Sequence, residues 1–383
     1  MSMKFLVIGS GMMGSAVAFD LARSFGVERV TLADIDVSRS QEAAQRISSS
    51  KVQPIELDVN DYSQVLKVMK GHDSAVAAVS FQHNLLLTKA AIEARVHLCD
   101  LGGNDEVLRK QLDLNEEAKE AGVAIIPNCG LAPGLANVLA ARGADLFDAV
   151  DSVHLRVGGV PQHPKPPFNY QIVFSVEGLL NEYTGKARVL RNGTVTQLDT
   201  LSEIETIDFP PPFGVMEAFL TSGGASLLPE MFAGRVRELD YKTIRYPGHC
   251  ERFKTLLELG FASNDPFSAG SSLLTTKEVF SQLLRNKLEN SGKDVVLLRV
   301  YIIGRQIGHL RRLAYELVDF YDENENITAM MRTTAFVTSI IGQFIADGRI
   351  RTRGVATPEM CVPLRPLLEE LSNRGINVQE SWY

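Results

Sequence analysis

The feature that most constrains this chain is a glycine-rich turn near its start. Residues 4–8 read Lys-Phe-Leu-Val-Ile, an apolar run rich in β-formers, and three glycines follow at the spacing G-x-G-x-x-G, namely Gly9, Gly11 and Gly14. A helical pattern over 15–23 comes next, and a second apolar run ends at Asp34, twenty residues beyond the last glycine. This order is typical of a βαβ unit that binds a dinucleotide.

Each part of the turn has a physical role toward such a ligand. Gly9 permits the tight turn out of the strand, Gly11 lets the pyrophosphate approach the backbone, and Gly14 lets the helix pack close to the sheet. The helix then offers its free N–H groups and its positive dipole end to the phosphates. The Asp34 carboxylate would accept from both ribose hydroxyls and repel a 2′-phosphate, which predicts NAD in preference to NADP. Arg39 could pair with that phosphate, but the carboxylate would still face it.

The alternation of strand and helix patterns continues to about residue 149. Further strands are expected at 52–57, 74–79, 96–101 and 123–127, with helices at 61–69, 83–94 and 106–121. Six parallel strands with crossover helices make a Rossmann doubly wound parallel sheet, an α/β fold whose ligands lie at the carboxyl ends of the strands. The residues predicted to bind the cofactor are therefore Gly9, Ser10, Gly11, Met12, Met13, Gly14, Asp34, Asp58, Val59, Val79, Ser80, Gly102, Cys129 and Gly130.

Residues 150–333 have a different character and predict a second, α+β domain with a mixed or antiparallel sheet. A proline-rich loop occupies 158–167, Arg191-Asn-Gly-Thr194 is a hairpin turn signal, and an antiparallel meander is expected from strands at 295–303, 312–321 and 327–332. We assign substrate binding, catalysis and dimerisation to this domain. Residues 334–383, which begin with an apolar helical pattern, are expected to return to the first domain.

Composition excludes several classes of function. The net charge is −7 and no lysine- or arginine-rich block occurs, which argues against nucleic acid or an anionic membrane as partner. No apolar run is long enough to cross a bilayer. The four cysteines form no C-x-x-C pair and the seven histidines show no ligand spacing, so we predict reduced thiols, no metal and a cytoplasmic protein.

The densest polar cluster of the second domain lies between Tyr241 and His249. Arg245 suits a substrate carboxylate, which it can hold through two parallel hydrogen bonds, and Tyr241 lies four residues before it. Lys242 or His249 could transfer a proton near neutral pH. The alternative is a strand and turn whose charges are simply solvated.

Two residues of the first domain invite a chemical interpretation. Asp100 ends a predicted strand and could orient an amine or accept its proton, although it could also cap the helix that begins near Asp105. Cys129 has no histidine partner nearby in sequence, so we expect it to line the cofactor pocket and not to act as a nucleophile.

Several of these segments together resemble the saccharopine dehydrogenase family, over nearly the whole chain. The segments are 9–14, Asp100-Leu-Gly-Gly103, Gly130-Leu-Ala-Pro-Gly134, Val173–Leu179, Thr221-Ser-Gly-Gly224, Tyr241–His249, Ala329–Thr334 and Arg353-Gly354. Within the family, the proline-rich loop followed by Tyr170 and 173–178 is most similar to the members that act on lysine. The resemblance implies that the protein oxidises the ε-carbon of lysine with NAD, releases ammonia, and forms the 6-semialdehyde, which cyclises to piperideine-6-carboxylate.

The resemblance also implies a homodimer whose small-molecule substrate is an amino acid. Arg245, Tyr170 and Tyr241 are then assigned to substrate binding, and Asp100, Lys242 and His249 stay open as candidates for proton transfer. Two other functions stay open. A saccharopine or carboxynorspermidine dehydrogenase, which reductively joins an aldehyde to an amine, would need more cations around its substrate, and Lys165, Lys242, Arg245 and Arg252 could supply them. A regulator that binds NAD without turnover is the third possibility.

Overall fold

The computed structural model describes residues 2–269, 272–288 and 292–383. The chain divides into two compact units, one formed by Met1–Gly143 with Met331–Val378 and the other by Ala144–Met330 with Gln379–Tyr383. The boundary lies a few residues before the expected position of 149, because the strand that begins at Ala149 already belongs to the second unit. The last five residues also correct the expectation that the whole C-terminal segment returns to the first unit.

The N-terminal part of the first unit alternates strands and helices. Its strands are β1 (Met3–Ile8), β2 (Val27–Asp34), β3 (Val52–Glu56), β4 (Ser74–Ala77), β5 (His97–Asp100) and β6 (Ala124–Ile126). Its helices are α1 (Met12–Arg23), α2 (Val37–Ile47), α3 (Tyr62–Met69), α4 (Asn84–Ala94), α5 (Asp105–Leu112), α6 (Asn115–Glu120) and α7 (Leu135–Ala144), with a 3₁₀ turn at Phe81–His83. All neighbouring strands pair in parallel, and β4 and β6 are buried along their whole length, as strands covered on both faces are.

The second unit is built on a mixed sheet. Its strands are β7 (Ala149–Pro161), β8 (Lys186–Arg191), β9 (Thr194–Asp199), β10 (Glu205–Phe209), β11 (Gly214–Leu220), β12 (Glu238–Arg245), β13 (Pro266–Ala269), β14 (Ser272–Thr275), β15 (Asp294–Gln306) and β16 (His309–Phe320). Its helices are α8 (Val176–Tyr183), α9 (Leu228–Phe232), α10 (His249–Glu258) and α11 (Thr276–Leu288). The order of the large sheet is β10-β11-β12-β7-β15-β16, with β12 and β7 parallel and the other pairs antiparallel. The predicted fold class is confirmed, as is the hairpin turn between β8 and β9.

The predicted third strand of the meander is wrong. Residues 329–331 form a helical turn, α12 (Ala329–Met331), which passes into a π-helical stretch at Arg332–Phe336 and then into α13 (Val337–Ala346). The Asp294 carboxylate accepts from the N–H groups of Ala329 and Met330 at 2.7 and 2.9 Å. It therefore satisfies donors that a helix start leaves free, which a strand at this position could not present together.

The segment Met331–Val378 completes the first unit. After α13 come β17 (Gly354–Val355), α14 (Pro358–Cys361) and α15 (Leu364–Asn373), and β17 adds a seventh parallel strand beside β6. Asp20 of α1 is buried between Ser339 and Arg374, which donate to its carboxylate at 2.6 Å each. A strand at the very end, β18 (Gln379–Trp382), pairs with β16 of the second unit.

Strand β12 positions the polar residues that the sequence singled out. Side chains alternate between the two faces of a strand, so Tyr241, Thr243 and Arg245 project to one face while Asp240 and Lys242 project to the other. We call the first the arginine face and the second the lysine face. On the arginine face, Arg245 contacts the rings of Tyr170 and Tyr183, which belong to an aromatic core shared with α8, α10 and α11. Within the described residues, no helix is long and apolar enough to span a membrane.

Candidate functional sites

The glycine turn after β1 has the geometry of a nucleotide-binding loop. Gly9 has φ +96°, and a Cβ there would lie 2.5 Å from the Ala78 carbonyl oxygen. A Cβ on Gly14 would lie 1.8 Å from the Gly9 carbonyl oxygen, so the protein itself requires both glycines. Gly11 differs, because a Cβ there would meet nothing within 4 Å. The open space beside Gly11 fits a ligand that approaches the backbone closely.

The start of α1 and the end of β2 supply the polar groups of this site. No side chain caps α1, which begins at Met12 and Met13, so its first N–H groups are free to bind an anion. The Asp34 carboxylate accepts from Ser10 through both its N–H and its hydroxyl, at 2.7 and 2.8 Å. These bonds hold the carboxylate against the glycine turn, where it can also accept from a ribose.

The other predicted cofactor residues lie where the strands of the first unit end. Asp58 and Val59 follow β3, Val79 and Ser80 follow β4, Gly102 follows β5, and Cys129 and Gly130 follow β6. The parallel sheet brings these loops to one edge, as the sequence predicted. Cys129 is fully buried, its thiol donates to the Ile126 carbonyl oxygen at 3.0 Å, and burial raises its pKa well above that of an ordinary cysteine. It is therefore a packed side chain of this edge with no thiolate character.

Asp100 organises the loops of this edge from a fully buried position. One carboxylate oxygen accepts from the N–H of Gly102 at 2.7 Å and of Asn128 at 3.3 Å, and the other accepts from Gln111 Nε2 at 2.7 Å. Burial raises the pKa of Asp100 against these hydrogen bonds, which lower it. Both oxygens are occupied by the protein, so the geometry favours positioning of two cofactor loops over proton transfer to a substrate.

The arginine face of the second unit carries a chain of hydrogen bonds between buried side chains. Arg245 Nε donates to the Tyr183 hydroxyl at 2.9 Å, and that hydroxyl lies 2.9 Å from His249 Nε2. His249 Nδ1 contacts the Phe168 carbonyl oxygen at 3.1 Å. Because a carbonyl can only accept, Nδ1 carries the proton and Nε2 accepts from Tyr183.

Both ring nitrogens of His249 are therefore engaged within the protein. Burial lowers its pKa far below the ordinary value, and the nearby Arg245 charge lowers it further, so the ring is neutral at physiological pH. His249 begins α10, where the Glu217 carboxylate accepts from the N–H groups of Gly248 and Cys250 at 2.8 and 2.7 Å. We infer that His249 positions Tyr183 and Arg245, and does not itself exchange a proton with a ligand.

Arg245 keeps part of its guanidinium available. Nη1 donates to the Ile244 carbonyl oxygen at 2.9 Å, and the guanidinium carbon lies 4.7 Å from the centre of the Tyr170 ring. The bonds that Arg245 makes to the protein run through Nε and Nη1. The buried Tyr170 hydroxyl beside it has no hydrogen-bond partner among the described residues, and burial raises the pKa of Tyr170 to about 12 against the opposing Arg245 charge. Tyr241 is also buried here, against Gly224, and burial raises its pKa as well. The three residues predicted to bind substrate are thus together.

Lys242 lies on the lysine face, away from this group. Its Nζ donates to Glu205 at 2.8 Å, and Glu205 also accepts a hydrogen bond from Arg156 Nε. Arg156 Nη1 in turn donates to Asp240 at 2.6 Å. His154 contacts the same Asp240 carboxylate at 2.8 Å. Burial acts to raise the pKa of Asp240, but the His154 hydrogen bond and the Arg156 charge outweigh it and lower the pKa far below its ordinary range.

The structure also brings two residues to the arginine face that the sequence did not single out, Tyr183 and Glu182. Both belong to α8, and the Ser222 N–H donates to the Glu182 carbonyl oxygen at 2.9 Å, which fixes the end of the helix. Glu182 follows Leu179 by three residues, so an acid on the apolar side of a helix was the available signal. Their neighbours on β12 are about sixty residues away in sequence, and no local pattern shows that proximity.

A doubly wound unit with a glycine-rich turn that can bind a dinucleotide, together with a second, mixed-sheet unit, is an architecture found in NAD(P)-dependent dehydrogenases. This chain belongs to the saccharopine dehydrogenase family. The family model for the saccharopine dehydrogenase NADP binding domain matches residues 5–126, and that for the saccharopine dehydrogenase C-terminal domain matches residues 130–376.

Individual relatives of the chain support this family assignment, at low sequence identity. Mouse mitochondrial alpha-aminoadipic semialdehyde synthase is 22% identical over 97% of this chain, which spans about half (47%) of that relative's length. Saccharopine dehydrogenase [NADP(+), L-glutamate-forming] of Schizosaccharomyces pombe is 23% identical over 98% of both chains. The solved structure of apo saccharopine dehydrogenase (L-Glu forming) from Saccharomyces cerevisiae covers 100% of both chains with a TM-score of 0.81 at 19% identity, and shows the fold.

Proposed function

We propose that this protein is a lysine 6-dehydrogenase, which oxidises the ε-carbon of L-lysine with NAD and releases ammonia and the 6-semialdehyde. A hydride leaves the carbon that bears the amine, one proton is released, and water converts the resulting imine to aldehyde and ammonia. A nicotinamide bound at the glycine turn would accept the hydride. We further propose that the protein acts as a cytoplasmic homodimer.

The observation that carries the choice of substrate is the charge of the arginine face. Arg245 is the single buried cation there among the described residues, because Arg156 and Lys242 project to the lysine face. Lys165 and Arg252 are exposed. One guanidinium matches the one carboxylate of lysine, which lies several bonds from the reacting carbon and can position the chain without touching the chemistry.

The second candidate is oxidation or formation of a secondary amine. It is favoured by the names of relatives, which include saccharopine dehydrogenases and, at 26% identity over 54% of this chain, a carboxyaminopropylagmatine dehydrogenase of Synechocystis. Saccharopine carries more carboxylates than lysine and would need more cations than the arginine face provides.

The preference for NAD is proposed on the position of Asp34. Its carboxylate is held at the glycine turn by Ser10 and would face a 2′-phosphate at close range. Arg39, five residues after Asp34, pairs with Asp36 across 3.6 Å. The family model and several relatives carry NADP in their names, and a comparison of KM for NAD and NADP decides between the two cofactors.

One experiment tests both parts of the proposal. NADH or NADPH formation is followed with lysine, saccharopine, cadaverine and other amines, and ammonia is measured alongside. We expect NADH and ammonia in equal amounts with lysine, and a lower KM for NAD than for NADP. Glutamate in place of ammonia would establish a saccharopine dehydrogenase, and a lower KM for NADP would refute the assignment of Asp34.

A further inference from the structure

Glu182, at the end of α8, is an acid without a bonded partner in the cluster of side chains around Arg245. Its side chain keeps partial access to solvent, and among the described residues its carboxylate accepts no hydrogen bond and forms no ion pair. Other buried or half-buried acids of the second unit, such as Glu205, Glu217 and Asp240, are bonded to a cation or to backbone N–H groups. A partly buried charge without a bonded partner is costly, so its presence calls for an explanation.

The charged and hydroxyl groups around Glu182 act on one another electrostatically, although none of them is hydrogen-bonded to its carboxylate. Arg245 acts on Glu182 electrostatically, and Glu182 in turn acts on the hydroxyls of Tyr170, Tyr183 and Tyr241. Yet no hydrogen bond or ion pair joins the carboxylate to the guanidinium, unlike the direct pairs on the lysine face. The geometric link is Tyr183, which directly follows Glu182 in α8 and whose hydroxyl accepts from Arg245 Nε at 2.9 Å. The end of this helix thus brings the carboxylate into the same cluster as the guanidinium, and no bond joins the two.

We propose that Glu182 and Arg245 form a subsite for the zwitterionic end of an α-amino acid, in which Glu182 accepts hydrogen bonds from the α-ammonium group and Arg245 binds the α-carboxylate. The ammonium and the carboxylate of such a ligand are attached to the same carbon. One ligand can therefore reach both side chains, because Glu182 and Arg245 belong to the same cluster. The inference rests on the proposed function and deepens it, because it makes the α-amino group a determinant of specificity. An exposed carboxylate could not discriminate in this way, since water would replace the ligand.

A role for Glu182 as the base at the reacting amine fits the same cluster less well. Arg245 would hold the end of lysine that lies several bonds from the ε-carbon, and Glu182 belongs to the same cluster through its neighbour Tyr183. Both side chains then serve the same end of the substrate. The two roles predict different kinetics, because a base acts on kcat for every amine while a specificity residue acts on KM for those that carry an α-ammonium group.

The subsite also predicts a dependence on pH. Burial raises the pKa of Glu182 to about 7, and the Arg245 charge opposes that rise. The other titratable groups that face it do not change charge between pH 6 and 8. Tyr170, Tyr183 and Tyr241 have raised pKa values, that of His249 is lowered, and Arg245 stays protonated. Affinity for an α-ammonium group should therefore fall as Glu182 becomes protonated below about pH 7.

The test compares lysine with 6-aminohexanoate, which is lysine without its α-amino group, in the native protein and in Glu182→Gln. Glu177→Gln is the matched control, because Glu177 lies on the exposed side of the same helix and pairs with Arg285. In the native protein we expect kcat/KM for 6-aminohexanoate to be roughly 30-fold or more below that for lysine. Glu182→Gln should raise KM for lysine by a similar factor, leave kcat and the 6-aminohexanoate parameters within about threefold, and remove the rise in lysine KM between pH 8 and pH 6.

Other outcomes separate the two proposals. If both substrates lose kcat equally in Glu182→Gln, the residue is a base or a structural support and the subsite is refuted. If the native protein oxidises saccharopine and not lysine, the proposed function fails, but the same variant should still raise KM for saccharopine, which also carries α-amino acid groups. If calorimetry in the presence of NAD detects no lysine or saccharopine bound to the native protein, both proposals are overturned.

Discussion

The two faces of strand β12 carry similar residues in opposite states. On the lysine face Lys242, Arg156 and Asp240 are bonded directly to partners of opposite charge, and Glu205 accepts from two cations. On the arginine face Arg245 donates only to a hydroxyl and a backbone carbonyl, and Glu182 has no bonded partner among the described residues. Burial is comparable, since Arg156 is 1% exposed and Arg245 is 2% exposed.

This difference distinguishes a structural ionic network from a binding site. A buried charge that has a bonded partner is stabilised within the folded chain, and removing that partner exposes the cost of burial. A buried charge without one keeps its capacity for a ligand and shifts its pKa instead. Shifted pKa values therefore point in opposite directions on the two faces, with Asp240 lowered by its partners and Glu182 raised by burial.

The largest effect on stability should follow from removing a cation from the ionic network of the lysine face. Arg156→Ala leaves Asp240 and Glu205 without their shared partner, and we expect the free energy of unfolding to fall by about 3–5 kcal/mol in urea titrations. Lys186→Ala, which removes an exposed pair with Asp199, should cost about 0–1 kcal/mol. If Arg156→Ala does not fold, Arg156→Lys keeps a charge and should lose less. A variant that keeps native stability but loses affinity for lysine would place the substrate on this face instead.

The next effect concerns the arginine face and is kinetic. Arg245→Ala should lower kcat/KM for lysine, because the α-carboxylate loses a buried charged partner. The loss should correspond to about 2–5 kcal/mol of transition-state stabilisation. Arg245→Lys should recover only part of this, since lysine cannot make the bidentate pair. Cadaverine, which has no carboxylate, should be a poor substrate of the native enzyme, and its rate should change little in Arg245→Ala. Equal losses for both amines would show that Arg245 only supports Tyr183 and His249.

The fold could be predicted from sequence because its signals are local. The glycine turn, the alternation of buried strands with amphipathic helices, and the Asn192-Gly193 turn each depend on a few neighbouring residues. The third meander strand failed for the opposite reason. Whether residues 329–331 form a helix depends in part on Asp294, which lies 35 residues away and binds the free N–H groups of the helix start.

The site was predictable in part, to the extent that its residues are close together in sequence. Arg245 and Lys242 are three residues apart, and a period of two already places such residues on opposite faces of a strand. Grouping them in one cluster overlooked that rule. The proximity of α8 to Arg245 could not be predicted from sequence, because it depends on the tertiary contact between Tyr183 and Arg245, 62 residues apart, and on no feature of either segment alone.

A smaller effect should appear in the stability of Glu182→Gln. A carboxyl whose pKa rises from 4.5 to about 7 on folding keeps its proton longer in the folded state, so native stability falls as pH rises from about 4.5 to 7. The amide that replaces the carboxyl in this variant carries no charge at any of these pH values. We therefore expect the free energy of unfolding of the variant to be about 1–3 kcal/mol higher than that of the native protein above pH 7. The difference should vanish below about pH 4.5. Equal stability at pH 8 would mean that Glu182 has a partner in solution.

The smallest effect is expected for Lys242, and it decides between the faces most directly. Lys242→Met keeps the length of the side chain and removes one donor to Glu205, which is 34% exposed and retains Arg156. We expect a loss of about 1 kcal/mol in unfolding free energy and a kcat for lysine within about twofold of the native value. If Lys242 transferred a proton during turnover, kcat should instead fall by roughly 10²–10⁴-fold. Added methylamine distinguishes the two cases, because a small amine can replace a missing general base but cannot restore an ion pair with Glu205. A large loss of kcat that methylamine restores would show that Lys242 reaches the substrate, and that the alternation along β12 does not separate structure from function.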